Sequence, residues 1–290
     1  MEYIMAFTGS ELRMRILLSL MDGNKNTSDL AEEISARHTT ILHAIKHLSK
    51  LGIITKNEDV YALTNLGKMQ AYILENLLSY FTILEGQRDF WLSHDVSGIP
   101  VDLLNRLGML SDSEVMVPDP VMPLENHEKL ISMIAKSEDI KAVLPVLITP
   151  EQCNVLADPI KEGLNVNLIV TYRLLETISR KCKTLECMYK ELIGYNNFNL
   201  YWTPEDVKVA LVVTESFLYL GLYNFDGIYD IGSGLIYVGD GAVAWGTKLF
   251  EYYRKKSNLI VDTSQAVELL QKHGLPLGDH SDTTKIRSNS

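Results

Sequence analysis

Thr39, Leu42, His43, Lys46 and Lys50 recur at i, i+3, i+4, i+7 and i+11, so on a helix they share one face. Ile41, Ala44, Ile45, Leu48 and Leu51 repeat at three-four spacing on the other side, which predicts a buried stripe and a helix over about 38–51. The outward face is polar and partly cationic. Threonine, histidine and lysine donate hydrogen bonds to phosphates and base edges, and Leu42 can touch a thymine methyl. Arg37, His38 and Thr40 gather at the amino end, where free backbone N–H groups favour a phosphate. This is the chemistry of a helix entering a major groove. The plainer alternative is a solvated helix face in a domain that binds protein.

His43 and His47 also stand at i, i+4, a spacing that suits a metal ion, but no carboxylate or cysteine on this helix completes a ligand set. Hydrogen bonding with some pH dependence is the simpler use. Cys153, Cys182 and Cys187 form no C-x-x-C pair, so zinc and thioredoxin-like chemistry are not expected. They read as small buried hydrophobes, with redox sensing by Cys182 and Cys187 as the alternative. No metal and no cofactor are expected.

Elements in a specific order must position the cationic helix. A first helix follows Ser10 and carries Leu12, Ile16, Leu17 and Leu20 before Asp22-Gly23-Asn24 stops it. A second runs from Thr27 to about Ser35, with Thr27 or Ser28 as cap and Glu32 or Glu33 completing a capping box. After the third helix and Gly52, the runs Ile53–Lys56 and Val60–Leu63 around Asn57-Glu58-Asp59 predict a hairpin. Three helices and a hairpin make a winged helix-turn-helix over residues 1–70, and Lys56 and Asn57 on the wing extend the candidate DNA-contacting set. A long helix over Thr64 to about Trp91 carries more apolar side chains than one face needs. It is either buried between partners or packed on its own domain. His94–Pro100 reads as a linker, so residues 71–100 form a connecting or dimerisation helix with its linker.

Beyond it, Glu114–Val117, Ile140–Thr149 and Asn165–Thr171 alternate with helices at 124–137, 150–162 and 173–193, which predicts a parallel βαβ arrangement. Phe198–Trp202, Lys208–Thr214 and Phe217–Tyr223 lie close together, with Glu215-Ser216 as a turn, so antiparallel strands extend the sheet. Gly234–Val238 and a helix at 241–256 complete an α/β mixed-sheet domain over 101–260. Residues 261–290 read as a C-terminal helix and a disordered tail.

Charge divides along the chain. Residues 1–68 hold eight Lys or Arg and eight Asp or Glu, so the net charge of −10 falls entirely on the remainder. A neutral domain with its cations on one helix still docks on phosphates, because binding follows the local field. No stretch approaches the ~18 apolar residues of a membrane span, and the start MEYIMAFTGS lacks an export pattern. A cytoplasmic protein is expected.

Four N-terminal segments, Glu11–Leu17, Thr27–Ala31, His47–Gly52 and Tyr61–Gly67, resemble archaeal winged-helix regulators. Phe90–Asp95, Ser97–Pro100, Asn224–Gly227 and Trp245–Tyr253 resemble the family whose middle domain is named after a methanogenesis regulator. The resemblance spans residues 10–256 and implies a transcription regulator. More distantly, the larger half is similar to the phospholipase-D-like regulatory domain of TrmB-type regulators. That family's phosphodiesterase motif is His-x-Lys with an Asp beyond. Here His127-Glu128-Lys129 is followed by Ile134 where the Asp belongs. A histidine without its orienting carboxylate is a poor nucleophile. With no P-loop, G-x-G-x-x-G or G-x-S-x-G, the chain reads as a regulator and not an enzyme.

A ligand site in such a sheet belongs beyond the carboxyl ends of its parallel strands. That places candidates at Asp119, Tyr172, Arg173 and Trp202, with Asp226 and Tyr229 on a polar aromatic loop that either lines a pocket or merely turns. Arg173 suits an anionic ligand or a surface salt bridge. The expectation is an effector-responsive, homodimeric regulator with double-stranded DNA and a small molecule as partners. The alternative is an interaction module whose winged helix lacks specific DNA binding.

Overall fold

Apolar side chains at helical spacing need a common core, and the first 86 residues supply one. The computed structural model describes residues 9–111, 114–116, 125–146, 152–181, 191–262 and 265. It divides into two units, Met1–Gly86 and Gln87–Ser290.

In the first unit, α1 (Glu11–Ser19), α2 (Thr27–Ile34) and α3 (His38–Lys50) bury Ile16, Leu17, Leu30, Ile34, Ile41, Ile45 and Leu48 together. The cap of α2 lies one residue earlier than its sequence suggests. The Asn26 side-chain oxygen accepts from the Ser28 and Asp29 N–H groups at 2.7 and 2.9 Å, and the Asp29 carboxylate accepts from the Asn26 N–H at 3.2 Å. Asparagine before the first threonine wins because its carbonyl reaches both orphan donors of the first turn. Helix α2 ends on Ser35 in the left-handed region, φ 57°, which turns the chain into α3.

β1 (Ile54–Asn57) and β2 (Val60–Leu63) pair antiparallel from Ile54↔Leu63 to Asn57↔Val60. A bridge between Lys25 and Tyr61, with N–H to carbonyl distances of 3.1 and 2.8 Å, ties this hairpin to the α1–α2 connection. Thr64 then starts α4 (Asn65–Gly86): its hydroxyl donates to the Gly52 carbonyl at 2.7 Å and accepts from the Gly67 N–H at 3.1 Å. Gly67 is required there, since a Cβ would stand 2.2 Å from the Ile53 carbonyl oxygen.

The second unit is built on a mixed sheet ordered β11-β7-β6-β5-β8-β9-β10-β4, with β3 paired to β9. Its parallel part is β5 (Asp139–Leu144), β6 (Asn165–Thr171) and β7 (Phe198–Thr203). Helices α8 (Gln152–Lys161) and α9 (Tyr172–Lys181) follow β5 and β6 in the chain as crossovers. β8 (Val209–Val213) then returns antiparallel against β5, and β9 (Phe217–Asn224), β10 (Leu235–Val238) and β4 (Glu114–Met116) continue antiparallel beside it. A two-residue edge strand β11 (Asn258–Leu259) beside β7 has no signal in the sequence. Helix α7 (Glu125–Ile134) precedes β5, and its Ile134, the residue where a catalytic Asp would stand, is buried in the core at 6% exposure.

Helix α10 (Asp240–Arg254) covers the antiparallel half. Its Trp245 is fully buried and donates its indole N–H to the Leu103 carbonyl at 3.0 Å, on short helix α6 (Val101–Leu104). Gly246 lets the helix approach closely, because a Cβ would be 2.8 Å from side-chain atoms of Val213 and Leu218.

Two expectations are corrected. The helix expected over Thr64–Trp91 is two helices, because Gly86 is a weak helix former and Gln87 leaves the helical region (φ −123°, ψ 38°); α5 (Arg88–Ser93) starts afresh and belongs to the second unit. Residues 94–100 are no linker. β3 (His94–Asp95) pairs with Asn224 and Tyr223 of β9, His94 is buried, and the Tyr253 hydroxyl donates to the Gly98 carbonyl. Ser97, Gly98 and Pro100 mark a tight turn pressed onto the sheet, with Gly98 leaving room for Val209. Of the C-terminal helix and tail expected over 261–290, all but residues 261, 262 and 265 lie outside the described residues, as do all three cysteine side chains.

Trp245→Ala should lower the stability of the second unit by about 3–5 kcal/mol, the range for a buried Trp or Phe truncation. Trp245→Phe should lose less, the part belonging to an unpaired Leu103 carbonyl, about 1–3 kcal/mol. Urea unfolding followed by circular dichroism measures both; a Trp245→Phe variant as stable as the natural chain would show that the indole hydrogen bond carries nothing.

Candidate functional site

The burial of α3 decides which of its side chains meet solvent. Ile41, Ala44, Ile45 and Leu48 are buried, while Arg37, His38, Thr39, Thr40, His43, Lys46 and Lys50 are all exposed. Leu42 lies among them, 46% exposed. No side chain caps this helix at Arg37, whose carbonyl receives the Thr40 and Ile41 N–H groups. The N–H groups of His38 and Thr39 therefore have no intrahelical acceptor and point out of the helix start with the positive end of its dipole. On the hairpin, Lys56 and Asn57 are exposed, and the Lys56 ammonium stands 5.9 Å from the Tyr61 ring centroid. The tip carries Glu58, in the left-handed region at φ 54°, and Asp59. The cationic surface is thus the helix, and the hairpin tip is negative. Lys25 adds nothing to it, being paired with Glu33 at 2.6 Å. Among the described residues no three His, Cys, Asp or Glu side chains are grouped to hold a metal ion.

The second unit contains a cleft of about 710 Å³ where the carboxyl ends of β5, β6 and β9 and the amino end of β8 meet. The β6–α9 junction supplies Thr171, Arg173, Leu174 and Thr177, and Pro145 and Val146 follow β5. Opposite stand Asp206, Lys208, Tyr223, Ile228 and Tyr229. Thr171 is buried and its hydroxyl accepts from the Leu174 N–H at 3.1 Å, capping α9 and fixing where Arg173 emerges.

Lys208 is held by Asp95 of β3 at 2.7 Å. The Lys208 ammonium, with the Ser97 N–H at 2.8 Å, brings the Asp95 carboxyl down to about 2, and the same contact raises the lysine. Tyr219 and Tyr229 share a hydroxyl–hydroxyl hydrogen bond at 2.8 Å, and burial raises both hydroxyls above the ordinary tyrosine value. Tyr223 packs edge-on against Tyr229, ring centroids 5.5 Å apart. Two glycines make room for this cluster: a Cβ on Gly221 would meet the Tyr229 oxygen at 2.3 Å, and one on Gly234 the Tyr219 ring at 2.3 Å. Behind it, His94 stacks on Phe90 with centroids 4.3 Å apart, its Nδ1 2.7 Å from the Phe90 carbonyl oxygen and its Nε2 3.3 Å from Asp230 Oδ2.

Of the residues singled out from sequence, Arg173 and Tyr229 line the cleft. Tyr172 and Trp202 pack against each other edge to face at 6.2 Å and are not among its walls, because Tyr172, adjacent to Arg173 on the first turn of α9, points elsewhere. Asp226 is exposed on the loop and also off the walls, and Asp119 lies outside the described residues. Asp206, Lys208 and Tyr223 escaped notice. Lys208 precedes Val209 and Tyr223 follows Leu222, the last registered pair of β8 and β9, so only the antiparallel return brings them to this end.

Residues 1–82 match the family model described as methanogenesis regulatory protein FilR1, N-terminal domain, and residues 123–256 match the FilR1 middle domain. The methanogenesis regulatory protein FilR1 of Methanothrix harundinacea (strain 6Ac) is 42% identical over 254 residues, 88% of this chain. The chain spans 57% of that protein's length. Among solved structures, the archaeal chromatin protein TrmBL2, described as showing a novel mode of DNA binding, is 13% identical with a TM-score of 0.38 over 86% of this chain and 94% of its own. The phospholipase D family member Nuc from Salmonella typhimurium is 11% identical with a TM-score of 0.39, over 51% of this chain and 99% of its own. Likenesses that distant carry no argument about this chain.

The Asp95 carboxyl is depressed from an ordinary 3.8 to about 2, so its contribution to stability is complete above about pH 4 and is lost as pH falls through about 2. Asp95→Asn should therefore be less stable than the natural chain at pH 5, with the difference shrinking between pH 4 and 2. Thermal unfolding over that range checks it, and a constant difference would show that Asp95 does not act through its charge.

Proposed function

Because the chain belongs to the FilR1 family of methanogenesis regulatory proteins and carries both the N-terminal and the middle domain of that family, we propose that it is a DNA-binding transcription regulator. The observation that carries this reading is α3: a helix third in order before a hairpin, pinned by its buried stripe, exposing Arg37, Thr39, Thr40, His43, Lys46 and Lys50 along one side with an uncapped amino end. In this reading α3 lies in the major groove, its first turn receives a phosphate, and Lys56 and Asn57 contact the backbone beside it. The acidic hairpin tip stays off the phosphates, which concentrates recognition on the helix.

The protein acts as a homodimer through α4. Met69, Tyr72, Ile73, Leu77, Phe81 and Leu84 are exposed along that helix, Ile73 at 62%. An apolar stripe of that extent on a monomer marks an interaction surface. A two-fold dimer presents two recognition helices to half-sites spaced by a helical turn of DNA, about 34–36 Å, or a multiple. The second unit is the effector-responsive part, its cleft within the roughly 300–1,000 Å³ of small-molecule sites. The chain performs no catalysis: the one His-x-Lys lacks its Asp, and Ile134 at that position is a core side chain.

Lys46→Ala should weaken binding to all DNA sequences and flatten its salt dependence, whereas His43→Ala should lose about 1–3 kcal/mol for one preferred base only. Gel shifts on the upstream region of the protein's own gene, at two salt concentrations, read both effects. Unchanged affinity in both variants would remove α3 from the interface.

Ile73→Glu combined with Leu77→Glu should convert the dimer to a folded monomer in sedimentation at micromolar concentration. A natural chain that is already monomeric, with and without DNA, defeats the dimer.

A further inference from the structure

Three charged side chains line the cleft of the second unit, Arg173, Asp206 and Lys208, and Asp95 stands against Lys208. Asp95 and Lys208 close on one another at 2.7 Å, so their charges cancel where they meet. Arg173 and Asp206 remain, Asp206 near enough to Lys208 to add to the rise of that lysine. Both line the cleft, both are exposed to its solvent, and neither is ion-paired with another described residue. Tyr223 registers both of them: burial raises its hydroxyl to about 12, the negative Asp206 adds to the rise, and the positive Arg173 opposes it. The cleft therefore carries one positive and one negative side chain, both near enough to Tyr223 to act on its hydroxyl. Much of the remaining lining is apolar, from Pro145, Val146, Leu174, Ile178 and Ile228.

We propose that this cleft binds a small zwitterion with an apolar body, an amino-acid-like molecule whose carboxylate meets Arg173 and whose ammonium meets Asp206. The planar guanidinium pairs with a carboxylate through two parallel hydrogen bonds. The ammonium gains further from the faces of Tyr223 and Tyr229. Competing ligand classes fit less well for stated reasons. An organic monoanion satisfies Arg173 and meets Asp206 with like charge, and a monocation does the reverse. A phosphate dianion exceeds one guanidinium and is repelled by Asp206. A polyol leaves both poles unneutralised and sets hydroxyl groups against apolar walls. A site that leaves a polar group unpaired when one ligand charge is missing discriminates strongly against the incomplete analogue. This assignment deepens the effector-responsive reading and rests on it for its regulatory meaning, while the binding itself is independent of DNA.

The test is thermal unfolding of the full chain with L-leucine or L-phenylalanine, each beside its N-acetyl derivative, which keeps only the anion, and its amide, which keeps only the cation. A free amino acid at saturating concentration should raise the midpoint by a few degrees, with neither derivative doing so. Arg173→Lys should weaken the response at least tenfold in the concentration required, Arg173→Ala should abolish it, and Asp206→Asn should let the N-acetyl derivative bind as well as the free amino acid. Equal or better stabilisation by either derivative in the natural chain overturns the proposal, as does no response to any of these compounds. Gel shifts with and without the amino acid separate the two readings. Binding that leaves DNA affinity unchanged sinks the effector reading and keeps the zwitterion site. A DNA response to some other class of molecule, with no amino-acid binding, does the opposite.

Discussion

A helix in a small domain has one side to bury, and what it presents outward is whatever remains. In the first unit this is the governing constraint. Ile41, Ala44, Ile45 and Leu48 of α3 join the residues of α1 and α2 in a single core, and their burial fixes the helix in rotation to within one side chain. A turn of about 100° about its axis would carry Lys46 or His43 into that core, where an unpaired charge or donor is strongly disfavoured. The cap at Asn26, the left-handed Ser35 and the Lys25–Tyr61 bridge all act on the same outcome, because each fixes where α3 begins or what lies beside it. The same constraint works in reverse on α4, whose early residues Ala71 and Leu74 are buried in that core while its opposite stripe of large apolar residues is left facing outward.

The second unit depends on a reversal of strand direction. Three parallel strands alone would put their carboxyl ends above one helix layer. The antiparallel return of β8 against β5 brings Lys208 to the same end, and β9 adds Tyr223 and the loop after it. Residues far apart in the chain thus converge on one cleft, and Asp95 joins them because β3 is stitched to β9. The opposite charges stand on separate elements, Arg173 on α9 and Asp206 on the loop between β7 and β8, and the order of the sheet brings them to one cleft.

The sequence and structure agree where periodicity is long and local. The α3 stripe, the hairpin and the βαβ repeat were all readable because each places its own side chains by a short-range rule, period 3.6 or 2. The misreadings share a cause. Ser97, Gly98 and Pro100 have the composition of a linker, and only the packing against Val209 and Tyr253, more than 100 residues away, shows them to be a turn pressed onto the sheet. Gly86 was legible as a weak helix former, but whether a helix stops there depends on tertiary contacts. For the cleft, Arg173 was found because strand-end logic is local to β6, whereas Asp206 and Lys208 gain their meaning only from strand order.

Tyr229 of the cleft and its hydrogen-bond partner Tyr219 lean into spaces that two glycines leave vacant. Gly221 and Gly234 lie on the backbone against which Tyr229 and Tyr219 rest, so the calibre of the cavity is set from behind its wall. A methyl group added at either position would displace one of these rings while leaving Arg173 and Asp206 where they are. Divergence among relatives in the size of molecule accepted can therefore arise at these two positions while the charged poles stay fixed. Size and charge selectivity are inherited on separate parts of the chain.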